Sequence, residues 1–257
     1  MIRHRARRTI KLARLLTRRT WRTGLAHGVA AAVEHAEVLR SLDAASVIDV
    51  GANRGQFALA ARELLPGAPV HAVEPLTAPA ATLDRVAAAV GGIAVHRAAV
   101  APTRATAVMR VPKRTDSASL LPVSARQTRV FPGTHTVRAE TVPTAPLRDL
   151  VPPDALTRPI LVKLDVQGAE LAVLRASAAL LPQVDWVLCE CSEVALYEGQ
   201  ALRPEIEAFL ARHGLHPVRT DNLVTHRELG RVQADVLFAR SSASSASAPA
   251  DSAASAL

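Results

Sequence analysis

The feature that most constrains the fold is a repeated alternation of short apolar runs with segments of helical period. Ser46-Val47-Ile48-Asp49-Val50 is such a run; it ends in a glycine turn and is followed by the helical spacing of Gln56 to Leu65. Val70–Glu74 precedes a helical pattern at Ala78–Ala89, and Ile93–His96 is a third run. Ile160–Leu164 leads into Ala169–Leu181, Trp186–Cys189 into Arg203–His213, and Ala234–Ala239 closes the series. Runs this short and this apolar read as strands buried on both faces. Joined by helices they lie parallel with right-handed crossovers, which predicts an α/β fold: a doubly wound, mostly parallel sheet with helices on both faces. Residues 103–150 break the rhythm with prolines and with β-leaning pieces at Ala107–Val111 and Thr136–Thr141. They read as an insertion over the carboxyl edge of the sheet, where substrate-selecting loops belong.

The flanks differ from this body, residues 41–240. Residues 1–22 carry nine of the 31 basic residues (Arg3, Arg5, Arg7, Arg8, Lys11, Arg14, Arg18, Arg19 and Arg22), with no acid before Glu34. The rest of the chain sets 22 basic against 23 acidic residues, so the net charge of +8 belongs to an arm. Within residues 1–40 the charges interleave with Ile10, Leu12, Leu15, Leu16 and Trp21, the pattern of a basic amphipathic helix. Such a helix lies on an anionic membrane surface, docks on an acidic partner, or packs its apolar side on its own domain. It has neither the apolar core nor the small-residue cleavage site of a signal peptide. Residues 241–257 are a Ser/Ala tail with the composition of disorder. No apolar run approaches the roughly 18 residues a transmembrane helix needs. Two cysteines are too few for a disulfide framework, which favours a reduced, cytoplasmic setting. Seven aromatic residues argue against a base-stacking platform.

In an open α/β sheet ligands bind beyond the carboxyl ends of the strands, at the switch in strand order. The first strand ends in Asp49-Val50-Gly51-Ala52-Asn53-Arg54-Gly55, whose two glycines four apart bring backbone close to a ligand at a helix start. Glu74, 25 residues past Asp49, ends the second strand, where an acid accepts both hydroxyls of an adenosine ribose. A dinucleotide site would want G-x-G-x-x-G to admit a pyrophosphate, and an acid at Asp49 would oppose one. The same acid suits a ligand with an ammonium group and no phosphate, so S-adenosylmethionine (SAM) is preferred over a dinucleotide. The fourth run delivers Lys163 and Asp165 on one face and continues through Gln167, Gly168 and Glu170. A carboxylate at Asp165 can take a proton from a substrate hydroxyl. Glu170 falls in the first turn of the next helix, where an acid is also simply stabilising.

Together, Asp49-Val50-Gly51-Ala52-Asn53-x-Gly55, Glu74-Pro75, Ser117-x-Ser119-Leu120 and Lys163-x-Asp165-Val166-Gln167-Gly168-x-Glu170 closely resemble the FkbM family of SAM-dependent methyltransferases, over about residues 47–238. The resemblance implies a class I, Rossmann-like methyltransferase with a seven-stranded sheet. It implies O-methylation of a hydroxyl on a sugar, a glycolipid or polysaccharide precursor, or a polyketide-type natural product. By position, Asp49, Gly51, Ala52, Asn53, Gly55, Glu74 and Pro75 would hold SAM. Asp165 would face the reacting centre, with Gln167 and Glu170 shaping it. Ser117 and Ser119 fall in a serine-rich stretch of the family that Asp116 precedes and Ala118 interrupts here.

Weaker candidates are Glu190 and Glu193 after the fifth strand and His135 in the insertion, while His71 and His96 read as packed strand residues. No spacing suggests a zinc site, and no metal is expected. Two other functions compete. A nucleic-acid methyltransferase recruited by the arm should end its fourth strand in an N-P-P-Y-like segment, which this chain lacks, so nucleic acid is an unexpected partner. A non-catalytic SAM-binding scaffold would work through the arm alone.

Overall fold

The computed structural model describes residues 13–113 and 115–241. The arm bases Arg3, Arg5, Arg7, Arg8 and Lys11, and the tail beyond Ser241, lie outside the described residues. Ten strands are described: β1 (Ser46–Val50), β2 (Val70–Val73), β3 (Ile93–His96), β4 (Ala99–Val100), β5 (Ala105–Pro112), β6 (Thr136–Ala145), β7 (Ile160–Leu164), β8 (Trp186–Ser192), β9 (Leu215–His226) and β10 (Gly230–Arg240). Seven of them form one sheet in the order β3-β2-β1-β7-β8-β10-β9. The first five are mutually parallel; β10 runs antiparallel to both β8 and β9. The sheet is thus doubly wound and mostly parallel, and its order reverses between β1 and β7.

Alternation along the strands sorts the core into two layers. Ile48, Val50, Val162, Leu164, Cys189 and Phe238 face a layer with Leu174 of α7 (Glu170–Ala176) and Phe209 of α8 (Arg203–Arg212). Val47, Val70, Leu161 and Leu188 face the other way, against Leu39 of α2 (Ala36–Arg40) and Phe57 and Ala61 of α3 (Gln56–Leu64). Both faces are covered, as a parallel sheet requires. Cys189 and Cys191, two apart on β8, share a face and are free thiols in the first layer.

Three features differ from the sequence reading. The long edge strand β9 carries no continuous apolar run, because most of it faces solvent. Helix α7 stops at Ala176, and the chain reaches Leu181 through turns and a 3-10 segment. The β-leaning pieces of 103–150 are the cores of β5 and β6, which pair antiparallel and, with β4, make a second, three-stranded sheet.

Residues 13–16 are helical and α1 spans Arg19–Ala26. Leu15 and Trp21 are buried against Leu59 of α3 and Val86 of α4 (Thr77–Val90). Their neighbour Leu16 is 52% exposed. The third option for the amphipathic segment, packing on its own domain, therefore describes residues 13–26. No helix among the described residues is long and apolar enough to cross a membrane.

Candidate functional site

A cleft opens at the carboxyl ends of β1, β2 and β7, at the reversal of strand order. Its floor is Val50, Val73 and Val100; Met109, Ala118 and Leu120 from the 103–150 segment close one side. Polar groups on the wall are Asn53, Glu74, Thr115, Asp116, Asp165 and Gln167. A mostly apolar cleft with few convergent polar groups is the ordinary form of a small-molecule site.

The β1 turn is built by close backbone approach. Gly51 has φ 84, and a Cβ there would stand 2.0 Å from the Asp165 carbonyl oxygen. The glycine thus lets the β1 and β7 turns touch, and it also reaches the cleft wall. Asn53 follows at φ 48, and its Oδ1 is buried with no hydrogen-bond partner among the described residues. Asparagine tolerates this left-handed backbone better than most residues. The Glu74 carboxylate braces the turn: Oε2 accepts from Asn53 N at 2.8 Å and Oε1 from Leu76 N at 2.8 Å. Burial outweighs both bonds and pushes the Glu74 pKa up to about 7. Pro75 continues the wall beside it.

Asp49 lies elsewhere than the sequence suggests. It is fully buried, off the cleft wall, on the α3 side of the sheet. Its register partner on β7 is Lys163, whose Nζ stands 3.6 Å from Asp49 Oδ1 and 3.2 Å from Asp165 Oδ2. The ammonium facing Asp49 is therefore the chain's own. Burial raises the Asp49 pKa against the pull of Lys163. Burial also works against the Lys163 charge, but Asp165 and Asp49 outweigh it and hold the amine protonated, with its pKa raised. Its Nζ stands 5.6 Å from the Phe57 ring centroid, a favourable cation–π placement. Ala52 and Gly55 are likewise buried and off the wall, Gly55 as the residue capping α3.

Asp165, one residue past β7, is on the wall with its side chain 35% exposed. Its oxygens have separate donors: Lys163 Nζ on Oδ2, and Gln167 Nε2 on Oδ1 at 2.6 Å. Gln167 Nε2 also donates to Glu190 Oε2 at 3.1 Å, and Gln233 Nε2 to Glu190 Oε1 at 2.7 Å. Burial first, then the neighbouring Asp165 and Asp235, push the Glu190 pKa well up. Glu170 is buried and off the wall. Its Oε1 accepts from Val166 N and Gly168 N, both at 3.1 Å, which ties the β7–α7 loop to the start of the helix. Burial raises its pKa to about 7. This geometry gives Glu170 the capping role and leaves Asp165 and Gln167 at the cleft.

The sequence reading did not reach several residues here. Tyr197, the only tyrosine of the chain, donates to Gln167 Oε1 at 2.8 Å, and no spacing announces it. The Ser117–Ser119 stretch does reach the site: Ser119 Oγ donates to the Gln167 carbonyl at 2.6 Å. His135 is exposed and off the wall, and His71 and His96 pair with each other at 3.2 Å in β2 and β3. Among the described residues no three metal-ligating side chains stand together.

No curated protein matches the sequence. Solved structures similar to this chain include the precorrin-6y C5,15-methyltransferase of Geobacter metallireducens GS-15, 13% identical, with 81% of this chain and 88% of that one covered and a TM-score of 0.44. Aeropyrum pernix fibrillarin, solved with natively bound S-adenosyl-L-methionine, is 14% identical over 79% of this chain and 72% of that one, with a TM-score of 0.44. An uncharacterized protein of Listeria monocytogenes serotype 4b is 11% identical over 80% and 67%, with a TM-score of 0.46. Residues 49–216 match the methyltransferase FkbM domain, a span that is more than half of the chain and contains every residue of the cleft wall. The chain belongs to the FkbM family of methyltransferases, with a class I Rossmann-like fold and SAM as methyl donor.

Proposed function

We propose that this protein O-methylates a hydroxyl group on a sugar, a glycolipid or polysaccharide precursor, or a polyketide-type natural product. The observation that carries the reading is the Asp165 carboxylate, held at the cleft wall by one donor on each oxygen. Each oxygen keeps a free lone pair, so the group can accept a hydroxyl proton without turning.

The cleft residues fit SAM. Asn53 offers a buried acceptor without a donor, and each Glu74 oxygen has accepted only one bond. Both ask for ligand donors, an ammonium and ribose hydroxyls being of the right kind. In this reading Asn53, Glu74, Gly51 and Pro75 touch SAM, whereas Asp49, Ala52 and Gly55 support the turn from behind. Bound SAM supplies an already activated methyl group on a sulfonium. The chain's task is then alignment and proton removal, which Asp165 and Gln167 perform at the acceptor end.

The test is calorimetric titration with SAM and S-adenosylhomocysteine, with NAD as control, followed by a screen of hydroxylated acceptors with methyl-labelled SAM. Glu74→Ala should weaken both sulfur ligands about tenfold or more, for the loss of charge-assisted hydrogen bonds. Asp165→Asn should keep their affinity and lower turnover about a hundredfold, within the span of a lost general base. Wild-type turnover by Asp165→Asn would remove that residue from the chemistry.

A further inference from the structure

Gln167 is held from four directions. Its backbone sits at φ 55, its carbonyl accepts from Ser119, its Nε2 bridges Asp165 and Glu190, and its Oε1 accepts from Tyr197. A side-chain amide has a donor end and an acceptor end of nearly equal shape. Turned end for end, this one would aim its carbonyl at the Asp165 carboxylate and withdraw the amide donor from Asp165 Oδ1 and Glu190 Oε2. The Tyr197 hydroxyl, by donating to the carbonyl end, favours the orientation observed over that turn. Gln127 Nε2 donates to the Tyr197 oxygen at 3.3 Å, which directs the phenol's single hydrogen elsewhere. Two acceptors are in reach, Gln167 Oε1 at 2.8 Å and the Ser117 carbonyl at 3.2 Å, and the shorter contact is to Gln167. Burial, with Glu190, Glu170 and Asp165 nearby, raises the phenol's pKa and keeps it a donor.

The loop makes room for this ring. A Cβ on Gly168 would stand 2.9 Å from Tyr197 Cδ2, so the glycine is what lets the tyrosine reach over to Gln167. We propose that Tyr197 is a positioning residue: acting through Gln167, it fixes the orientation of the Asp165 carboxylate at the cleft. What Asp165 is held for rests on the methyl-transfer reading above.

Tyr197→Phe keeps the ring and removes only the hydroxyl. The experiment is NMR of the full-length protein carrying ¹⁵N-glutamine and ¹³C-carboxyl aspartate, at fixed pH. Gln167→Ala and Asp165→Asn assign the two signals, and Gln56 and Gln183, which make no hydrogen bond to this network, serve as internal standards. Tyr197→Phe should speed solvent exchange of the Gln167 amide protons about tenfold, the effect of losing one ordinary hydrogen bond. It should also move the Asp165 carboxyl resonance in the direction that Gln167→Ala moves it. The double variant should place that resonance where Gln167→Ala alone does, since the tyrosine acts only through the amide. An Asp165 resonance unmoved by Tyr197→Phe, unchanged Gln167 exchange, or a double variant displaced beyond Gln167→Ala overturns the proposal. A tyrosine that only packs would leave all three signals in place. Failure to bind SAM would remove the methyl-transfer reading and leave these signals to report on Tyr197 independently.

Discussion

At Gly51 two turns of the sheet meet with no room for a side chain, and the neighbouring atom is the backbone oxygen of Asp165. A backbone obstacle cannot rotate away, and φ 84 adds strain for any other residue. Gly51→Ala should therefore cost about 3 kcal/mol or more, read as a lower urea midpoint, and should displace Asp165 as well. Residue identities made much of this site legible. Asn53, Glu74 and Asp165 sit on the wall because strand ends deliver them there, and strand ends can be read from apolar runs. Asp49 was harder to place, because the sequence does not say which face of β1 turns toward Lys163. Tyr197 was out of reach for a different reason: its contact with Gln167 joins residues 30 apart through a loop with no period.

The β7–α7 loop shows the same logic at the scale of an element. Glu170 caps two backbone N–H groups of the loop from inside the core, and its pKa of about 7 lies above the ordinary 4.5. The folded protein therefore holds a proton there that the unfolded chain gives up. The associated stability is full below pH 4.5 and is lost as pH rises through 7. Glu170→Gln keeps an acceptor oxygen and removes the titration. Its stability relative to wild type should improve between pH 4.5 and 7 by an amount on the order of 3 kcal/mol, then stay level; urea unfolding across that range checks it. Elements buried on both faces, such as β1 and β7, announced themselves as unbroken apolar runs. Strand β9 did not, since an edge strand facing solvent has no such run. Helix α7 was read too long because the apolar residues Leu180 and Leu181 continue its pattern while packing into the core from a turn.

Over the whole molecule, the basic N-terminal segment is joined to the body from Leu15 onward. Trp21 is 2% exposed against α3 and α4, and its indole N–H has no acceptor among the described residues. Trp21→Ala should cost about 3 kcal/mol in urea unfolding, and Trp21→Phe clearly less, because phenylalanine keeps most of the apolar area and drops the unpaired donor. An anionic membrane or acidic partner at residues 1–22, one option of the sequence reading, would have the bases and the exposed Leu16 to recognise, not the buried Trp21. The hydrogen bond from Ser119 to Gln167, and the Tyr197 hydroxyl lying 3.2 Å from the Ser117 carbonyl, have a consequence for inheritance and engineering. They couple residues 103–150, which close one side of the cleft, to the loop that presents Asp165. A chimera that imports this stretch from a relative imports half of a bracket whose other half is Tyr197. Such grafts will work when both halves travel together, and drift toward new acceptors is easiest at positions of the stretch, such as Met109 and Leu120, that line the cleft without bracing Gln167 through their side chains.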